Sequence, residues 1–275
     1  MTTILYAHDD CDGHVTPPGH PERVERLGAV RAALAGMDAL DRREAPLGTA
    51  SDVLRCHPED YLDRVRDAVP SDGWVSLDAD THVSPGSLTA AFRAVGGCVA
   101  AVDAVLGGEA SNAFVACRPP GHHAERATAM GFCLFGNVAI AAKHALDAHG
   151  LTRVAVVDFD VHHGNGTQDL LWEENRTLFV STHQVPLYPG TGNTDERGAH
   201  DNVMNLPLAP MTGSAEMRRL YQDEVVPALD DFAPELVLIS AGFDAHRDDP
   251  LANLNWTEDD FAWVTGAICD VADAH

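Results

Sequence analysis

Three short segments gather side chains able to do chemistry. The first is Asp158-Phe159-Asp160-Val161-His162-His163-Gly164-Asn165-Gly166. In an extended chain residues two apart share a face, so Asp158, Asp160 and His162 are expected to point one way. Carboxylate and imidazole together suit a divalent cation. The second is Ser240-Ala241-Gly242-Phe243-Asp244-Ala245-His246, where Asp244 is a candidate third ligand beside Asp160 and His162. Two Asp and one His leave a coordination position open, as catalytic rather than structural sites do. The third is Cys117-Arg118-Pro119-Pro120-Gly121-His122-His123-Ala124. Adjacent histidines in an extended chain face opposite sides, which leaves two readings. One is a general acid/base pair whose rings are oriented by a carboxylate or amide, with Asp158 and Asn165 as candidates. The other is one exposed and one core histidine.

Each segment follows a short apolar run. Ile4–Ala7, Ala113–Ala116, Val154–Val157, Leu178–Val180 and Leu236–Ile239 read as strands buried on both faces, because they are continuous rather than alternating. Helices are expected over about Ser87–Leu106, Asn137–His149 and Ser214–Leu229, and from Thr257 onward, where Asp260 completes a capping box. Strand–helix alternation predicts an α/β fold, a mostly parallel central sheet with helices on both faces. Function then gathers beyond the carboxyl ends of the strands, where all three segments lie.

The chain has 275 residues, which points to one large domain. Its 18 basic and 42 acidic residues give a formal charge of −24. That excludes the basic face that nucleic acid or an anionic membrane requires, and fits cationic partners or plain solubility. The six cysteines show no CxxC spacing, so reduced thiols in a cytoplasm are expected rather than disulfides or a zinc ribbon. The apolar runs are expected to fall short of a membrane span, and the N-terminus has no signal-peptide pattern.

Five ordered segments carry a resemblance: Arg118–Ala124, Gly131-Phe132-Cys133, Val157–Thr167, Tyr188–Gly192 and Ser240–Leu251. Together they resemble the zinc-dependent histone deacetylase family and its bacterial relatives, including acetylpolyamine amidohydrolases and proteins of acetoin utilisation. Gly19-His-Pro-Glu-Arg23 and Asn165 favour the class II side. The resemblance implies an arginase–deacetylase fold, with zinc on Asp160, His162 and Asp244. It implies that His122 is backed by Asp158 and His123 by Asn165, and that His123 is the general base. It implies a structural potassium on Asp158, Asp160, His162, Ser181 and the carbonyl of Thr182. Gly131, Phe132, Tyr188 and Leu251 fall at the substrate tunnel and its rim. A mixed Asp/His site accepts Fe2+ as well as Zn2+.

The family's oxyanion tyrosine, in a Gly-Gly-Tyr turn, has no counterpart here; the tyrosines are Tyr6, Tyr61, Tyr188 and Tyr221. A single deacetylase domain over 1–275 is therefore expected to lack the usual last strand, that turn and the final helices. Weak or no activity is expected of this chain alone. The implied substrate is acetyl-lysine or another acylated amine. An acetylpolyamine amidohydrolase and a catalytically impaired acyl-lysine binder stay open, as does a homo-oligomer. A two-metal ureohydrolase is disfavoured by Gly164, which stands where that class has a carboxylate.

Overall fold

The structure, a computed structural model, describes residues 2–275 and divides into two compact units, 2–149 and 150–275. The first unit opens with β1 (Thr3–Ala7), α1 (Glu25–Leu34) and β2 (Leu40–Glu44). After them come α2 (Ala50–Val53), α3 (Glu59–Ala68) and a small antiparallel hairpin, β3 (Val75–Ser76) and β4 (His82–Val83). It closes with α4 (Ser87–Leu106), β5 (Asn112–Ala116) and α5 (Asn137–Ala148). Its main sheet is parallel, in the order β2-β1-β5.

In α4 the expected and observed boundaries coincide, because a 20-residue Ala- and Val-rich run lies between Gly86 and Gly107. By length and composition α4 could cross a membrane, which corrects the expectation that no apolar run reaches that length. Here it packs against β1, β5 and α5 and buries Ala90, Ala91, Ala94 and Val95. The strand β2 was not legible in the sequence. Its Leu-Asp-Arg-Arg-Glu is poor strand material, and it is held by pairing to β1 at the sheet edge, where charge is useful. Arg43 there bonds Asp41 (2.8 Å) and Glu109 (2.6 Å).

The second unit runs β6 (Val154–Asp158), α6 (Asn165–Leu171), β7 (Thr177–Gln184), β8 (Val203–Leu208), α7 (Ser214–Leu220), α8 (Val226–Phe232), β9 (Leu236–Ser240) and α9 (Glu258–Ala274). Its parallel sheet has the order β8-β7-β6-β9. Every residue of β6 and β7 is buried, as their continuous apolar runs predict, whereas β9 is half-buried throughout and β5 begins exposed, which corrects the expectation of full cover for those two strands. The helix expected from Ser214 is interrupted by one wide π-turn, Tyr221–Val225, between α7 and α8. Tyr221 in that turn is fully buried and its hydroxyl meets Thr182 Oγ1 at 3.0 Å. The helix α9 starts as expected. Thr257 and Asp260 form a capping box, and the buried Asp260 also accepts from Ser214 (2.7 Å) and Arg218 (3.1 Å), tying α7 to α9. Phe159, Tyr221, Trp256 and Phe261 dominate the core of this unit. Burial of each such ring contributes about 2–3 kcal/mol.

Two glycines of the first unit separate packing from propensity. A Cβ on Gly96 of α4 would lie 2.2 Å from the carbonyl oxygen of Pro46 and 2.3 Å from the Gly48 nitrogen, both backbone. Gly28 of α1 has open space around it. Gly96→Ala is expected to destabilise by about 1–3 kcal/mol, and Gly28→Ala to stabilise by about 0.5–1 kcal/mol. Urea unfolding of the two variants checks both signs.

Candidate metal centre and histidine pair

The register of the second sheet sets Asp158 of β6 opposite Ser240 of β9, so the segments leaving these strands start side by side. Two residues on from Asp158 stands Asp160; four on from Ser240 stands Asp244. They meet at His162. Its Nδ1 lies 3.1 Å from Asp160 Oδ1 and 3.0 Å from Asp244 Oδ2. The ligand atoms of the three residues all fall within 4.8 Å of one another. Past Asp158 the chain bends rather than continuing extended, yet Asp160 and His162 still share a side. The Asp160 N–H donates to Asp158 Oδ1 (3.1 Å), and the His162 N–H donates to Asp160 Oδ1 (2.8 Å). These local turns aim Asp160 and His162 at Asp244, whose Oδ1 accepts from the Val161 N–H (2.9 Å).

Gly242 makes the approach possible. A Cβ there would sit 2.0 Å from Asp160 Oδ2. The electrostatics agree with a cation site. Burial, together with the charge of Asp160, raises the Asp244 carboxyl to about 6. Burial alone would favour neutral His162, yet its hydrogen bonds to Asp160 and Asp244 hold it at about 10. Two carboxylates facing one imidazole thus draw positive charge, and a divalent ion fits these donors by chemistry and spacing.

The buried Asp158 is braced from the following loop: a Cβ on Gly164 would lie 2.4 Å from its Oδ2. Gly164 is thereby a close-approach residue as well as a missing carboxylate. Asn165 is buried at the first position of α6. Ser181 and Thr182 lie on β7, with Asp158 opposite Ser181 in register. Ser181 Oγ donates to His183 Nδ1 (3.0 Å), because His183 Nε2 donates to the Gly192 carbonyl (3.0 Å). Tyr188, 38% exposed, meets the His162 ring edge-on at 6.2 Å between centroids. Leu251 lies on an exposed turn fastened to Asp249.

A network that the residue reading missed fixes the Tyr188 segment. His163 bonds Thr191 Oγ1 (2.7 Å) and Gln168 Oε1 (3.0 Å), and Gln168 donates to Glu196 (2.7 Å). A Cβ on Gly192 would strike His183 and His163. The signal was present, since His163 and Thr191 stand inside two of the five quoted segments.

The first unit carries His122, His123, Gly131 and Phe132. The histidines occupy a tight turn closed by the Ala124 N–H on the Gly121 carbonyl (3.2 Å). Their rings lie 3.9 Å apart and both are buried, which corrects the expectation of opposite faces. Gly131, at φ 55°, passes under His123; a Cβ there would lie 2.3 Å from the ring. Phe132, at φ 70°, packs edge-on against His20. Arg118, four residues before His122, is buried against Glu22. It donates Nη2–H to Oε2 at 2.5 Å and Nε–H to Oε1, while His14 Nε2 lies 3.5 Å from the same carboxylate. Glu22 therefore anchors the turn that holds the histidine pair. It is a structural residue that the sequence reading used only as part of a motif.

Comparison with known proteins gives consistent matches. A family model described as histone deacetylase domain matches residues 20–275. A histone deacetylase-like amidohydrolase of Pseudomonas aeruginosa is 41% identical over 273 residues, covering 96% of this chain and 72% of that protein. Histone deacetylase 14, chloroplastic, of Arabidopsis thaliana is 36% identical, covering 92% and 65%. The crystal structure of the HDA15 HD domain superposes with a TM-score of 0.94 at 33% identity, covering 99% of this chain and 81% of that one.

Two predictions follow from this geometry. Gly242→Ala drives a methyl group into Asp160 and is expected to weaken Zn2+ uptake by at least about tenfold with the fold retained; equilibrium dialysis and circular dichroism check it. Glu22 is held at about 2: burial opposes its ionisation, but hydrogen bonds from His14 and Arg118 outweigh burial. Its folded value lies below its unfolded one, so its contribution, about 3 kcal/mol, is complete above pH 4.5 and lost as pH falls toward 2. The stability gap between wild type and Glu22→Gln in urea should narrow over that window.

Proposed function

This chain belongs to the histone deacetylase family and has its arginase–deacetylase fold; from that premise we propose that it is a zinc-dependent deacetylase hydrolysing the acetyl amide of acetyl-lysine or a similarly acylated amine. The observation that carries the reading is the Asp160–His162–Asp244 cluster. It offers three donors of the right chemistry and a cradle that only glycine at 242 permits. The names of the relatives, deacetylase and amidohydrolase, support the hydrolase class.

When bound, a divalent ion there supplies Lewis acidity to the amide carbonyl and acidity to a water molecule. The chain's own residues do the rest. His123 takes the water's proton and later delivers it to the departing amine. His122 stabilises the negative charge that develops beside it. In this reading Asp158 and Asn165 fix the tautomers of His122 and His123. Phe132 and Tyr188 wall the acyl chain, Gly131 leaves it room, and Leu251 stands at the rim. Asp158, Asp160, His162, Ser181 and Thr182 would hold a potassium ion that stiffens the loop after β6. The acidic surface suits a cationic substrate. All six cysteines are free thiols, which suits a reducing cytoplasm.

Acetate release from an acetyl-lysine peptide by the zinc-loaded protein tests the proposal. His123→Ala is expected to lower kcat by about 10²–10⁴ with zinc still bound. Asp244→Asn is expected to abolish turnover and zinc uptake at the Asp160–His162–Asp244 centre. Zinc uptake without acetate release from either the peptide or acetylputrescine, both by this chain and by one extended through a Gly-Gly-Tyr segment, overturns the proposal. Release from acetylputrescine alone moves the substrate to polyamines.

A further inference from the structure

A second cluster of donors stands in the first unit. Asp103 lies in the last turn of α4, His144 in the last turns of α5, and His149 caps α5. Both imidazoles converge on one oxygen: His144 Nε2 and His149 Nε2 each lie 2.7 Å from Asp103 Oδ1. The rings stand 5.4 Å apart between centroids at 79°, and the three ligand atoms fall within 4.8 Å of one another. Donors around a tetrahedral zinc lie about 3.3 Å apart, so each Nε2–Oδ1 distance need lengthen by only about 0.6 Å for a shared ion to enter between them. The cluster stands where two helices end, and the negative poles of both dipoles favour a cation there. His144 is buried while Asp103 and His149 are exposed, which leaves the outer coordination positions to water.

We propose that Asp103, His144 and His149 form a second divalent-metal site, which clamps the end of α4 to the end of α5. The site takes a borderline transition metal such as Zn2+, as an imidazole–carboxylate donor set does. Coordination through Nε2 moves each neutral ring's proton to Nδ1. For His144 that atom is buried without a hydrogen-bond partner, so this site binds more weakly than the Asp160 centre and fills after it. The proposal does not depend on the reaction proposed above.

The test is Zn2+ titration of the metal-free full chain, by calorimetry and by elemental analysis after equilibrium dialysis. Wild type is expected to take up two equivalents, the second more weakly. His149→Gln and, separately, Asp103→Asn are expected to take up one, with unchanged circular dichroism. Asp244→Asn removes the first site and is expected to keep the second, with a Zn2+-dependent rise in Tm of about 2–4 °C. Adding His149→Gln to that variant should abolish the rise. A His149→Gln protein that still binds two equivalents overturns the proposal, as does an Asp244→Asn protein that binds none. In the second case the three residues are a proton-shared His–Asp–His network.

Discussion

Two carboxylates held against one imidazole are the constraint from which the second unit is best understood. Asp160 and Asp244 repel each other, and both side chains are largely buried. Nothing about the two side chains alone would keep them together. The parallel pairing of β6 with β9 does, by starting both loops at one level. That pairing is secured by the wholly buried β6 and β7 and by the aromatic core around Trp256 and Phe261. The fold thus supplies the energy that the site stores as unfavourable electrostatics, a common division of labour between scaffold and site.

The histidine pair is held by a different means. Its turn hangs on Arg118, a buried cation compensated by Glu22, whose carboxylate His14 also faces. A buried pair of this kind is a poor source of net stability but a strict one of geometry, because either partner left alone is costly. The two groups of functional residues therefore rest on unlike supports, apolar burial in one unit and a buried ion pair in the other.

Much of this was legible in the sequence. Strands buried on both faces announce themselves as continuous apolar runs, and α4 and α9 carry their own start signals. The three residues of the candidate metal cluster could be named because each stands just past such a run. The missed features share a cause: their determinants are remote. The strand β2 is a strand because β1 pairs with it. The facing of His122 and His123 depends on a turn, and period-two reasoning assumes extension. The His163–Gln168–Glu196 chain joins residues 28 apart and has no periodic trace. The pair of helix ends that brings Asp103 to His144 and His149 is likewise a product of packing, invisible in the spacing of single residues.

The wide turn at Tyr221–Val225 has a consequence for how this chain can change length. A π-turn holds one residue more than regular α-helical geometry requires. Deleting one residue there would restore a regular helix and improve its local hydrogen bonding. Because the wide turn already absorbs the extra residue, that deletion would leave Leu229 and the rest of the helical run facing the core, and would disturb only the bulge that sets Tyr221 against Thr182. A deletion in α7 or α8 would instead rotate everything beyond it by about 100° and turn the core face outward. Among proteins of this architecture, a gap of one residue at the wide turn is therefore compatible with an unchanged core, whereas a gap elsewhere in the helix would signal a repacked one.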